Sequence, residues 1–190
     1  RTVEEFYDGI DDLFKHSNRP FLLVLDSENS LTSDKDEAQF QKEKAARSTE
    51  KEASGDYGTA KAKVHSACLR TVANVKLRES GSILIIVSQT RQRIGFGAQF
   101  NPRTRSGGTA LKFYAHLELW LSVKEDLTKQ VSVAGTKKNR QLGILSKIKV
   151  EKSRLTGRES SVEVPIYWSA GMDDLGACIN WLLEEGVWAG

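Results

Sequence analysis

The run Ile83–Leu119 reads ILIIVSQTRQRIGFGAQFNPRTRSGGTALKFYAHLEL, and the rest of the chain is interpreted outward from it. Five branched apolar residues, Ile83–Val87, follow the Gly81-Ser82 break. A continuous apolar run of this length predicts a strand covered on both faces. The polar pair Ser88-Gln89 ends that strand. From Arg91 to Lys112 the chain carries Arg91, Arg93, Arg103, Arg105 and Lys112 without one Asp or Glu, interleaved with Ile94, Phe96, Phe100 and several glycines. Such a segment is poorly suited to a core and well suited to a mobile basic loop. Glycines let backbone approach a phosphate, arginines neutralise it, and apolar side chains can lie against bases. A solvated connector is the alternative that composition leaves open.

The composition fits an ordinary folded domain. The chain has 190 residues, 39% hydrophobic and 28% charged, enough for one domain with a substantial core and without the long apolar run of a membrane span. The formal net charge of +3 is too mild to indicate nucleic-acid binding, so the clustering of arginines in one acid-free segment carries more weight. Cys68 and Cys178 stand far apart in apolar contexts, which predicts reduced core thiols and a cytoplasmic location. His16, His65 and His116 have no partners at zinc-ligand spacing, so each is read as a surface or packed histidine. Arg1 opens the chain without a Met or a secretory pattern, and the expectation is a piece of something longer.

Upstream, Val3, Phe6, Ile10, Leu13 and Phe14 recur at helical spacing, and Thr2 with Glu5 forms a capping-box signature. The apolar run Phe21–Leu25 then ends in Asp26-Ser27, a Walker B pattern. A buried strand holds such an aspartate rigidly at its C-terminal end, where it can fix a magnesium ion beside nucleotide phosphates; many α/β proteins also place Asp there as a cap. Residues 34–52 mix both signs densely and predict a solvated helix or a disordered insertion. Thr59–Arg78 predicts a helix with an apolar face (Val64, Cys68, Leu69, Val72, Val75, Leu77) and a basic one (Lys61, Lys63, Arg70, Lys76, Arg78). Beyond the central stretch, His116–Val123 alternates like a strand, and Lys124–Arg140 is a polar excursion read as a hairpin. Ile144–Leu155 and Ser161–Trp168 predict an antiparallel pair across Thr156-Gly157, with Pro165 marking an edge or a bulge. Gly171–Val187 predicts a closing helix, apolar at Leu175, Ile179, Leu182 and Leu183.

SQTRQRIG followed by NPRTRSGGTALKFYA resembles the second DNA-binding loop of the bacterial RecA recombinase family and the strand that follows it. Glutamine at a strand end, the basic-x-basic-Ile-Gly step, Asn-Pro, Gly-Gly and ALKFYA occur in one order. Phe96–Phe100 departs from the family pattern by about one extra residue. Gly55-Asp56-Tyr57-Gly58 resembles the Gly-Asp step of the first DNA-binding loop, although the charged stretch before it is longer. The resemblance covers nearly the whole chain, residues 1–190 being read as one RecA-like core from the Walker B strand onward. It implies an α/β fold with a mostly parallel central sheet, helices on both faces and a C-terminal antiparallel hairpin. The divergent loops leave a phage-type version open.

Several roles are implied by the resemblance alone. ATP and Mg²⁺ are the implied cofactors, with Asp26 positioning the magnesium water and Ser27 supporting it. Gln89 contacts the γ-phosphate region as the catalytic sensor. Lys152 and Arg154 match basic positions that reach a neighbouring protomer's ATP, or else only decorate a strand end. Arg91, Arg93, Ile94, Gly95, Arg103, Arg105, Ser106, Gly107 and Gly108 form the DNA-binding set, with Lys63 and Arg70 beside it. The implied partners are single-stranded DNA and further copies of the chain in a helical filament, with no membrane. No GxxxxGK[ST] occurs in these residues, so the fragment alone is not expected to hydrolyse ATP. The alternatives are a RecA-fold helicase or regulatory ATPase, against which GGTALKFYA argues, and a nucleotide-independent single-strand binder.

Overall fold

The computed structural model describes residues 1–47, 59–92, 103–105, 108–133 and 136–188. The chain forms two compact units, Arg1–Tyr114 and Ala115–Gly190.

The first unit opens with α1 (Val3–His16), whose start is fixed as the sequence predicts. The Thr2 hydroxyl accepts the Glu5 N–H at 3.2 Å, and the Glu5 carboxylate accepts the Thr2 N–H at 3.2 Å, a reciprocal capping box. Strand β1 (Leu22–Asp26) is followed by a 3₁₀ turn, Glu28–Ser30, and by α2 (Asp34–Arg47), the solvated helix that its mixed charges predict. After α3 (Thr59–Thr71) the helix loosens into a π turn, Val72–Lys76, and closes as α4 (Leu77–Ser80) on Gly81, which takes the left-handed conformation at φ 68°. Strand β2 (Ile83–Val87) lies parallel to β1 in the register Leu22↔Ile83 through Asp26↔Val87. The short strands β3 (Thr90–Gln92) and β4 (Arg103–Arg105) pair antiparallel, and α5 (Gly108–Tyr114) ends the unit.

Its core is one cluster of Val3, Tyr7, Ile10, Leu25, Leu31, Leu69, Val72 and Leu111. Full burial of a side chain such as Ile10 contributes about 1.5–3 kcal/mol, so this cluster sets the stability of the unit. Two expectations are corrected here. Among the described residues the parallel sheet has two strands, not a larger central sheet, and those strands are covered on one face only. Leu22, Val24, Ile83 and Ile85 are exposed because, at period two, they share the face on which none of the described residues packs. The basic face of α3 is also not uniform. Lys61 turns inward to Glu28, Lys76 pairs with Asp11, and Val75, assigned to the apolar face, is exposed.

The second unit is an antiparallel sheet in the order β5–β6–β7–β8, with β5 (Leu117–Val133), β6 (Thr136–Ser153), β7 (Ser160–Tyr167) and β8 (Gly171–Met172). The predicted hairpin is thus a long ribbon. β7 pairs with β6 only between Gly143↔Tyr167 and Val150↔Ser160, so the ribbon extends beyond the third strand. Pro165 lies opposite Leu145 of β6, one residue before the stretch paired with β8, and its carbonyl accepts the Asp173 N–H at 2.9 Å. Helix α6 (Asp174–Glu184) starts later than the sequence predicts, because Asp173 caps it by accepting the Gly176 N–H at 2.9 Å. The partly buried stripe of α6 is Gly176, Ile179 and Leu182. Leu175 and Leu183 are exposed, whereas Ala177 is the buried residue of the helix. Cys178 is likewise exposed, correcting its assignment as a core thiol, whereas Cys68 is partly buried. Burial first, then Glu4 and Asp8, raises the Cys68 thiol pKa.

Candidate functional site

Strand polarity gathers the first group of residues. Because β1 and β2 run parallel and in register, Asp26 and Val87 end level with each other, and Ser27 and Gln89 follow at the same C-terminal edge. Ligands of open α/β sheets bind at this edge. Asp26 is exposed there, Ser27 is half-buried, and the peptide between them is cis. The next residues anchor the edge. Glu28 is fully buried, and the Asn29 side-chain oxygen accepts the Gln89 N–H at 2.8 Å. Asn29 thereby joins the turn after β1 to the end of β2. It was not picked out from the sequence, where it is one polar residue in SENS.

Gln89 runs directly into the β3–β4 ribbon, whose register is Thr90↔Arg105, Arg91↔Thr104 and Gln92↔Arg103. Three predicted DNA-binding arginines, Arg91, Arg103 and Arg105, therefore lie on one short ribbon that starts one residue after Gln89. The acid-free segment is not a single loop, since its ends are strand at Thr90–Gln92 and Arg103–Arg105, and the strand expected after the loop is instead a helix, Gly108–Tyr114. Arg93, Ile94, Gly95, Ser106 and Gly107 lie outside the described residues, as do the Gly55–Gly58 step and the tip expected to be mobile.

A second group forms where α3 packs on α5. Lys63 and Ser66 from α3 face Thr109, Lys112 and Phe113 from α5 across an open cleft of about 560 Å³. Phe113 is 65% exposed, an unusual state for an aromatic side chain on a helix that otherwise buries Leu111. The Arg70 Nε donates to the Tyr114 hydroxyl at 3.4 Å, so Arg70 borders the same surface. Two ammonium groups, hydroxyls and an open aromatic face can receive a phosphate and a base together. The sequence indicated Lys63 and Arg70. It did not indicate Phe113, whose outward direction depends on ALKFYA being helical.

Lys152 and Arg154 belong to the antiparallel unit. Lys152 pairs with Glu118 across β5–β6, and the Arg154 N–H donates to the His116 carbonyl at 2.8 Å. Among the described residues no three His, Cys, Asp or Glu side chains gather as a metal site. A magnesium ion held through water and phosphates needs only one or two carboxylates, so the exposed Asp26 with Ser27 fits one side of a magnesium nucleotide. The phosphate-wrapping loop is not among these residues, so the fit stops at that side.

An α/β protein with an acidic residue and an amide gathered at the end of parallel strands, running on into a basic ribbon, is the class that fold and site define. The family model for the RecA N-terminal domain matches residues 18–173, and the chain belongs to the RecA family. It is 33% identical over 140 residues to Protein RecA of Thermosynechococcus vestitus, covering 72% of this chain and 37% of that protein. It is 33% identical over 129 residues to Protein RecA of Geobacter sulfurreducens, covering 66% of this chain and 34% of that protein. Protein RecA of Thermus thermophilus is 33% identical over 128 residues, with 66% and 34% covered. The chain spans about a third of the length of the curated relatives it matches.

Proposed function

We propose that this chain is part of the core of a RecA-type, ATP-dependent DNA recombinase that binds single-stranded DNA as a nucleotide-controlled filament in homologous recombination and repair. The observation that carries the reading is continuity. Asp26 ends β1 and Ser27 follows it, Asn29 in the next turn holds Gln89, and Gln89 leads into the ribbon of Arg91, Arg103 and Arg105. On this reading both compact units belong to one cytoplasmic RecA-like core, residues 1–190, and the uncovered face of β1–β2 is closed by further parts of the full-length protein. When bound, MgATP supplies the phosphate whose presence or loss sets the DNA-binding state. Asp26 and Ser27 hold the hydrated metal, and Gln89 senses the γ-phosphate side. Lys152 and Arg154 reach a neighbouring protomer's nucleotide. Arg91, Arg93, Arg103, Arg105, Lys63 and Arg70 neutralise phosphates, Ile94 contacts bases, and Gly95, Ser106, Gly107 and Gly108 let backbone approach the strand.

The test is single-strand binding by the full-length protein with and without ATP over a salt series. Tighter binding with ATP, lost in the Gln89→Ala variant while nucleotide binding remains, supports the reading; binding indifferent to ATP overturns it. A nucleotide-independent single-strand binder is the second reading, and the same titration separates the two.

A further inference from the structure

The turn that follows Asp26-Ser27 carries a buried carboxylate, Glu28, at 0% exposure. A charge this deep is costly unless it is paired, so its partners matter. Lys61, in the first turn of α3, supplies the main one. Its Nζ lies 2.8 Å from Glu28 Oε1 and donates to the Glu28 carbonyl at 2.7 Å. His65, one turn further along α3 and also at 0% exposure, places Nε2 3.5 Å from the same carboxylate oxygen, beyond a full hydrogen bond. Its other nitrogen, Nδ1, is 3.1 Å from the Tyr7 hydroxyl of α1. Lys61 and His65 of α3 therefore meet on the carboxylate of the turn after β1, and α1 joins the cluster through the Tyr7–His65 contact.

The position of this cluster gives it a use. Glu28 is next to Asn29, which holds Gln89 at 2.8 Å, and Gln89 opens the arginine ribbon. Lys61 and His65 stand on the α3 helix that also carries Lys63 and Arg70 of the basic cleft. A rigid ion pair thus lies between the helix that presents one set of cations and the edge from which the other set extends. Neither contact is needed to fill space, since an apolar pair could pack the same volume at equal or better stability.

We infer that Glu28 and Lys61 are positioning residues that tie the start of α3 to the strand edge carrying Asp26, Ser27 and Gln89, so that a shift at either is transmitted to the other. The coupling to nucleotide and DNA rests on the reading above, whereas the mechanical tie does not. Either partner replaced alone leaves a buried charge unpaired, so the informative variants are Lys61→Arg, which keeps the pair, and the double replacement Glu28→Gln/Lys61→Met, which removes both charges.

The experiment follows amide exchange in the full-length protein. In the double variant the Gln89 amide and the α3 amides of Val64 and His65 should exchange faster together, by about tenfold, while Ile10 and Leu69 in the core keep their protection; Lys61→Arg should stay near wild type. Faster exchange on α3 with Gln89 unchanged overturns the tie, and so does an equal loss of protection at Ile10 and Leu69, which marks general destabilisation. In parallel, the gain in single-strand affinity on adding ATP should fall about tenfold in the double variant, within the usual range of coupling between sites. A wild-type protein with no ATP effect removes the recombinase reading and leaves the exchange result to decide the tie alone.

Discussion

The Asn29 side-chain oxygen accepts the Gln89 backbone N–H at 2.8 Å, which fixes the residue after β2 from the turn after β1. The bond is exposed, so Asn29→Ala should cost only about 0.5–1.5 kcal/mol in denaturant unfolding. Its effect on ordering should be larger, with faster exchange of the Gln89 amide. Asn29→Asp keeps the acceptor and should keep the protection.

Tyr7 should make stability fall in alkali. Burial, followed by the nearby Cys68 and Glu28, raises its phenol pKa above the ordinary value of 10.0. A group whose folded pKa is raised contributes stability in full below the unfolded pKa and loses it as pH rises past that point. Unfolding free energy should therefore decline above about pH 10 in wild type. Tyr7→Phe should flatten that decline. It should also cost about 1–3 kcal/mol at neutral pH, because the fully buried His65 Nδ1 loses its partner.

Gly143 pairs with Leu127 on one side and with Tyr167 on the other. A Cβ at this position would overlap the Ile166 carbonyl oxygen and lie 2.9 Å from both Ile166 C and Tyr167 Cα. The obstruction is backbone, which a rotamer change cannot relieve. Gly143→Ala should force β7 outward and destabilise the antiparallel unit by about 1–3 kcal/mol, read as a lowered Tm.

Charge and stacking should separate in the proposed DNA interface. Arg103→Ala, Arg105→Ala and Lys63→Ala should each weaken single-strand binding on all sequences alike and reduce the salt slope by about one unit. Phe113→Ala should lower affinity by about 1–3 kcal/mol with the slope unchanged, as loss of a stacking surface does. An unchanged slope in the Arg103→Ala/Arg105→Ala double variant would leave the ribbon a plain connector.

Much of the architecture was legible from local pattern. Thr2 with Glu5 predicts the start of α1, and the apolar runs ending at Asp26 and Val87 predict the two strands that pair in register. The Thr156-Gly157 turn predicts the β6–β7 pairing. Gln89 and the arginines beside it were legible as a candidate site because they are contiguous. Phe113 was not, since its exposure depends on the packing of α5 against α3.

The sequence by itself determined α1 and its cap, the strands β1 and β2, and which stretch is basic without acids, because spacing and composition over a few residues decide these. Only the tertiary structure decided that Lys61 points inward while Lys63 faces the cleft, that His65 and Glu28 share a buried site with Tyr7, and that Asn29 holds Gln89. A charged side chain enters a core only where a partner waits to offset its desolvation. For Lys61 that partner is 33 residues away in the chain, and for Gln89 it is 60. No local pattern encodes such distances, so the fold alone settles them.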